Sequence, residues 1–233
     1  MADPQAPSPT APAAAPPDGM VHIPAGPFRF GPKGDEVSLG EFWIDLTPVT
    51  NKQYAAFVAA TGRRNPNHWG PDGHDEKIAD HPVVCVTFAD AEAYAKWSGK
   101  ALPTPAQLEK AARGTDGRKY PWGDTVGLRT GNTREAGIGT TTPVEAYPRG
   151  RSPFGCFDLA GNVLHWTRGP YDKEKGTLTL KGCSFRHYLG PVAWTYEAAP
   201  DQRQDCVGFR CVVSPTTAAA AAAGRSGGRA GSK

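Results

Sequence analysis

No apolar run in this 233-residue chain approaches the roughly 20 residues that a helix needs to cross a bilayer, so no membrane partner is expected. The N-terminus also lacks the basic stretch and apolar core of a secretory signal, which predicts a cytoplasmic protein. The five cysteines, Cys85, Cys156, Cys183, Cys206 and Cys211, include no Cys-x-x-Cys pair, so neither a zinc knuckle nor a thioredoxin-type site is written here. They read as free, buried, small apolar residues. There is no Gly-x-Ser-x-Gly elbow and no P-loop. The histidines, His22, His68, His74, His81, His165 and His187, are scattered, and none pair at helical or zinc-ligand spacing. Net charge is only +3, and part of it comes from Arg225, Arg229 and Lys233, which leaves no basic stripe for nucleic acid.

What is present is enough apolar side chain, 39% of residues, for one sizeable core. Residues 20–213 read as a single domain. Residues 1–19 are Ala, Pro, Ser and Asp with almost nothing to bury, and residues 214–233 are an Ala- and Gly-rich run; both are predicted to be disordered tails. Three helix starts are marked. Thr50-Asn51-Lys52-Gln53 is a capping box, and it opens a helix with Tyr54, Phe57 and Val58 inward and Gly62 at its close. Thr87 precedes a second helix with Ala91, Tyr94 and Ala95 inward, ending at Ser98-Gly99. Thr104-Pro105-Ala106-Gln107 starts a third, carried inward by Leu108, Ala111 and Ala112. Beyond Gly114 no long helical pattern remains. That half is Gly, Pro and Thr punctuated by short runs such as Val163-Leu164 and Cys211-Val212-Val213, with no helix or strand period between Ser184 and Val207. The fold class is α+β, loop-rich with short strands and two to three helices.

Nine segments in order carry a family resemblance. They run from Met20-Val21-His22-Ile23-Pro24-Ala25-Gly26 and Phe42-Trp43-Ile44-Asp45 with Pro48-Val49-Thr50-Asn51, through His81-Pro82-Val83-Val84, Leu102-Pro103-Thr104, Ala111-Ala112-Arg113-Gly114 and Tyr120-Pro121-Trp122-Gly123. Thr141-Thr142-Pro143-Val144, Asp158-Leu159-Ala160-Gly161-Asn162-Val163 and Gly208-Phe209-Arg210 complete the series. Over residues 20–213 the chain resembles the formylglycine-generating enzyme family, a variant of the C-type lectin fold.

The resemblance implies a copper(I) oxidase that converts a substrate cysteine to formylglycine, with two thiolates following a Gly-Gly-Ser motif. Soft thiolates suit Cu(I). Here the motif reads Gly182-Cys183-Ser184, and the two matching positions are His187 and Val192, so copper is not expected. One reading makes Cys183, with Cys206 later in the same stretch, a displaced thiolate; the simpler one is a small residue tolerated at a tight backbone position. The His-x-x-x-His-x-Glu pattern of iron-dependent sulfoxide synthases sharing this fold is absent from the sequence. The resemblance also implies calcium. Asn132 with the Thr133 carbonyl matches one site and Asp158 another, but the carboxylate position of the second falls on His165, and the first has only Glu135 nearby. Calcium binding is therefore expected to be weak. No cofactor is otherwise implied.

Between Ser184 and Val207 the chain carries Arg186, His187, Tyr188, Leu189, Trp194, Tyr196, Glu197, Gln202 and Gln204. Aromatics and Arg mixed with polar groups are the side chains of binding hot spots. The segment with Pro200-Asp201 and Arg203 before Gly208-Phe209-Arg210 also resembles variable proteins of diversity-generating retroelements, which display a hypervariable ligand-binding surface on this fold. The expectation is a non-catalytic protein that binds an unidentified protein or small molecule at the 185–206 surface. The competing expectation is an oxidase or metal-dependent enzyme of the same family with a non-standard site.

Overall fold

The computed structural model describes residues 17–215 except Leu128. The tails read from the sequence, 1–19 and 214–233, lie outside the described residues apart from 17–19 and 214–215.

The three helices form where their caps predict. In α1 (Asn51–Thr61) the Thr50 hydroxyl accepts from the Gln53 amide while the Gln53 side chain accepts from the Thr50 amide, and Gly62 closes the helix in the left-handed conformation at φ 66°. In α2 (Phe88–Trp97) Thr87 and Asp90 make the same reciprocal pair, and in α3 (Pro105–Arg113) Thr104 and Gln107 do. Tyr54 and Phe57, then Ala91, Tyr94 and Ala95, then Leu108, Ala111 and Ala112 are buried as the apolar stripes require.

Strands β1 (Met20–Ile23) and β4 (Phe42–Asp45) pair antiparallel, and β9 (Val212–Val213) joins the far side of β4, so the two ends of the domain meet in one sheet. Between them β2 (Gly26–Phe30) and β3 (Asp35–Leu39) form a separate hairpin. The second main sheet has the order β7-β6-β5-β8, built from β5 (Leu164–Asp172), β6 (Thr177–Gly182), β7 (Thr195–Ala198) and β8 (Val207–Gly208), the last parallel to β5. Strand β7 corrects the sequence reading, which found no strand between Ser184 and Val207. It alternates exposed Thr195 and Glu197 with half-buried Tyr196 and buried Ala198. Four residues that include Glu and Ala carry little β-propensity, and pairing with β6 decides the outcome.

Gly208-Phe209-Arg210 shows why three adjacent residues are needed. A Cβ on Gly208 would stand 2.6 Å from the Val83 carbonyl oxygen, so only glycine lets the two backbones approach. Phe209 enters an aromatic cluster, its ring 5.3 Å from Tyr94 and 6.2 Å from Tyr54. Arg210 is completely buried and spends its guanidinium on the carbonyls of Asp45 (3.0 Å), Leu46 (3.2 Å) and Phe157 (2.6 Å) and on His165 Nε2 (3.2 Å).

Helix α3 buries more than its apolar stripe. Glu109, Lys110 and Arg113 are also inside. The Glu109 carboxylate receives Lys181 Nζ of β6 at 2.7 Å, Arg113 NH1 at 2.9 Å and the Gly31 amide at 2.7 Å. Lys181 also donates to the Ala193 carbonyl at 3.1 Å, which fixes the chain just beyond Val192. Removing one partner of a buried ion pair strands the other and typically costs about 3–5 kcal/mol. Glu109→Ala is therefore expected to lose about that much stability in urea denaturation, and a loss below about 1 kcal/mol would contradict the role assigned to this carboxylate.

Candidate functional site

The run from Ser184 to Val207 is irregular over most of its length, yet its backbone is tied to the scaffold at short intervals. Phe185 N donates to Asn162 O (3.2 Å), Arg134 N to His187 O (2.9 Å), Leu189 N to Glu135 Oε1 (2.9 Å) and Val192 N to Lys119 O (3.1 Å). Further along, Phe88 N donates to Pro200 O, Cys85 N to Gln204 O and Leu164 N to Cys206 O, at 2.9 to 3.0 Å. A loop held this way has a fixed course whatever its outward side chains are.

Those side chains divide into three sets. Phe185 is buried in the first core cluster with Tyr54 and Phe209, and Val192 in the second with Leu108 and Leu159. Tyr188 is 61% exposed and Trp194 50%, with Arg186, Glu197 and Gln202 also facing water. His187, Leu189, Tyr196 and Gln204 are half-buried.

Each outward group is positioned. Arg186 forms a two-pronged pair with Asp205, so it is not a free cation. The Arg134 guanidinium lies 4.8 Å from the centre of the Tyr188 ring, a cation–π contact. The Trp194 indole rests on Gly190, where a Cβ would stand 2.5 Å from the ring. Tyr196 sits 4.9 Å from the His187 ring, Glu197 accepts from Thr177 Oγ1 at 2.7 Å, and Gln204 donates to Gln202 at 2.8 Å. The supporting turn at Arg134 and Glu135 and the partner Asp205 carried no sequence signal for this role, because all three reach the loop from outside it or from its far end.

The two positions that match the copper ligands supply no thiolate. His187 Nδ1 and Ser184 Oγ are hydrogen-bonded at 2.6 Å, and burial together with Arg186 holds the imidazole pKa below its ordinary value, so it is neutral at pH 7. Val192 offers no donor and is packed in the core. Cys183 is almost fully buried beside its neighbours' carbonyls, its Sγ 3.4 Å from Tyr188 O, and burial pushes its thiol up to about 11. Ser184 is wholly buried and also receives the Arg186 amide at 3.2 Å, so its pairing with His187 presents no accessible nucleophile. This donor set does not fit a two-thiolate Cu(I) site.

The calcium positions fit no better. Asn132 Oδ1 is a buried oxygen without a hydrogen-bond partner, while its amide nitrogen donates to Thr140 O at 2.8 Å and Asn162 Oδ1 at 3.3 Å. Asp158 is buried and meets Asn162 Nδ2 at 3.4 Å. At His165 the Arg210 guanidinium already supplies a cation. Among the described residues no group of three or more His, Cys, Asp or Glu side chains is placed to hold a metal ion. Calcium takes about six to eight oxygens, and of the side chains at these positions one is an amide, one a carboxylate and one an imidazole.

The family model described as the Sulfatase-modifying factor enzyme 1-like domain matches residues 5–215. The chain is 33% identical to the formylglycine-generating enzyme of Thermomonospora curvata, over 84% of this chain and 94% of that one. It is 29% identical to the inactive C-alpha-formylglycine-generating enzyme 2 of Bos taurus, over 82% and 87% respectively. The fold superposes on Treponema denticola variable protein 1 with a TM-score of 0.70 at 18% identity, covering 84% of this chain and 95% of that chain.

Burial holds the Asp158 carboxyl at about 6 against the opposing pull of Arg210. Its ordinary value is near 4, so the ionised form is disfavoured in the fold. The stability this group contributes is present below pH 4 and is lost as pH rises through 6, by roughly 3 kcal/mol at about 1.4 kcal/mol per pKa unit. Asp158→Asn keeps the shape, and Asn tolerates the left-handed backbone at φ 54°. Relative to wild type, the variant is expected to gain about 3 kcal/mol between pH 4 and pH 7 in chelator-containing denaturation series. A difference that stays flat or grows in favour of the wild type would show that the fold needs this carboxylate ionised.

Proposed function

The chain belongs to the Sulfatase-modifying factor enzyme 1-like family of formylglycine-generating enzymes, and within it we propose that it is a non-catalytic binding protein. The observation that carries this reading is the fate of the copper positions: one is a neutral imidazole tied to a buried serine, and the other is a valine inside the core. A family that holds both formylglycine-generating enzymes and a relative named as inactive accommodates such a loss. Neither copper nor calcium takes part in this reading.

The binding surface is the outward set on residues 185–206. Tyr188 and Trp194 are the anchors, because exposed rings held in place lose little entropy on contact. Arg186, Glu197 and Gln202 supply charge and hydrogen bonds around them, with His187, Leu189, Tyr196 and Gln204 beneath. The partner is a protein or a small molecule. The likeness of fold to a variable protein supports a reading in which this stretch can change between relatives while the scaffold does not.

The test is mass spectrometry of a sulfatase-type cysteine peptide incubated with the purified chain in oxygenated buffer, with and without Cu(I). No formylglycine is expected in either case. Copper-dependent conversion that disappears in Cys183→Ser would overturn the non-catalytic reading and place the chemistry on that thiol.

A further inference from the structure

A cleft of about 930 Å³, lined by Val126, Arg129, Glu135, Ile138, Tyr147 and Arg149 among others, shares only Leu189 with the 185–206 surface. Its volume lies within the range of small-molecule sites, about 300–1,000 Å³. Three features set it apart from an ordinary surface groove.

The first is its charge. Arg129 and Arg149 stand on its walls, and among the described residues neither guanidinium has an ion pair, hydrogen bond or ring contact. The one carboxylate on the wall, Glu135, accepts from the Leu189 amide and pairs with neither arginine, so two cations face one anion. The second is apolar exposure: Val126 is 70% exposed and Ile138 45%, and both line the cleft with Leu189. The third is a wall that is fixed rather than slack. A Cβ on Gly150 would overlap the Thr130 carbonyl oxygen at 1.8 Å, and one on Gly131 would stand 2.7 Å from the Ala160 carbonyl, so the segment carrying Arg129 is pressed onto the scaffold on both sides. Arg129 itself is held left-handed at φ 57°, a conformation that costs a non-glycine residue roughly 1–2 kcal/mol.

We propose that this cleft binds a small organic anion, with a carboxylate, sulfonate or phosphate on Arg129 and Arg149 and an apolar body against Val126, Ile138 and Leu189. Two unpaired guanidiniums choose the charge, since their planar donors match such oxyanions. The exposed aliphatic side chains choose the body. Tyr147 adds a phenol on the same wall. The site shares only Leu189 with the 185–206 surface, and Arg129 and Arg149 lie outside it, so either can fail without the other.

Fluorescence titration of the full chain with 1-anilinonaphthalene-8-sulfonate, and with its uncharged relative N-phenyl-1-naphthylamine, tests it. The sulfonate is expected to saturate one site and to weaken as salt rises. Arg129→Gln and Arg149→Gln should each weaken it about tenfold, the scale of one charge-assisted contact. Neither should change the weaker binding of the uncharged dye, whereas Ile138→Ser should weaken both. Because all three positions are exposed, unchanged melting temperatures will show that the variants remain folded. The proposal is overturned if the sulfonate does not bind, if the double variant R129Q/R149Q binds it as the wild type does, or if the uncharged dye binds the wild type equally well.

Discussion

The carboxylate of Glu109 is where the parts of this domain are fastened together. It sits in the interior with Lys181 and Arg113 on its two oxygens, and through them α3 grips β6, the β2–β3 hairpin and the chain after Val192. One anion does not neutralise two cations, and Lys110 is buried beside them. The remaining donors are spread over backbone carbonyls: Lys110 on Pro24 and Gly26, and Arg113 on Arg118, Arg29, Gly31 and Gly117. Desolvating such a group is costly, and only this degree of satisfaction offsets it. What the arrangement provides is position, because fixed forks and carbonyls allow one register of helix on sheet.

Position is also what the loop above requires. Lys181 ends its reach at Ala193, two residues past Pro191, and the amides of Leu189 and Val192 are taken by Glu135 and Lys119. The backbone is thus set by atoms that do not depend on the outward side chains. Phe185 and Val192 point into the two core clusters, whereas Tyr188 between them and Trp194 just beyond them stand on the surface. The loop presents aromatic rings and paired charges to solvent.

Much of the scaffold was legible in the sequence because its signals are local. Thr50, Thr87 and Thr104 with the acceptor three residues on mark helix starts that tertiary context did not overrule. The order of short motifs identified the family, and Gly208-Phe209-Arg210 proved to hold close backbone approach, ring packing and a buried guanidinium in turn. The buried charges were not legible. Glu109 and Arg113 sit at ordinary i,i+4 spacing that on a surface helix would be a solvated pair, and nothing local says that Lys181 arrives from 72 residues away. Strand β7 was missed for a like reason, since its partner and not its composition makes it a strand. At the candidate site the division of side chains into anchored and outward was not legible, because no period runs through Ser184 to Val207. The arginine cleft left no trace at all: Arg129 and Arg149 are 20 positions apart in a loop-rich stretch and come to line one cleft only through folding.

The account rests on the claim that the outward residues of the 185–206 run are energetically separable from the domain that carries them. Thermal unfolding of a variant with Tyr188, Trp194, Glu197 and Gln202 all replaced by Ser measures this directly, with no ligand required. Exposed substitutions each change stability within about ±0.5 kcal/mol, and about 1 kcal/mol moves a domain of this size by roughly 2–4 °C. The account predicts a cooperative transition within about 5 °C of the wild type. A fall of more than about 10 °C, or loss of the cooperative transition, would show that these side chains hold the fold together and would contradict it.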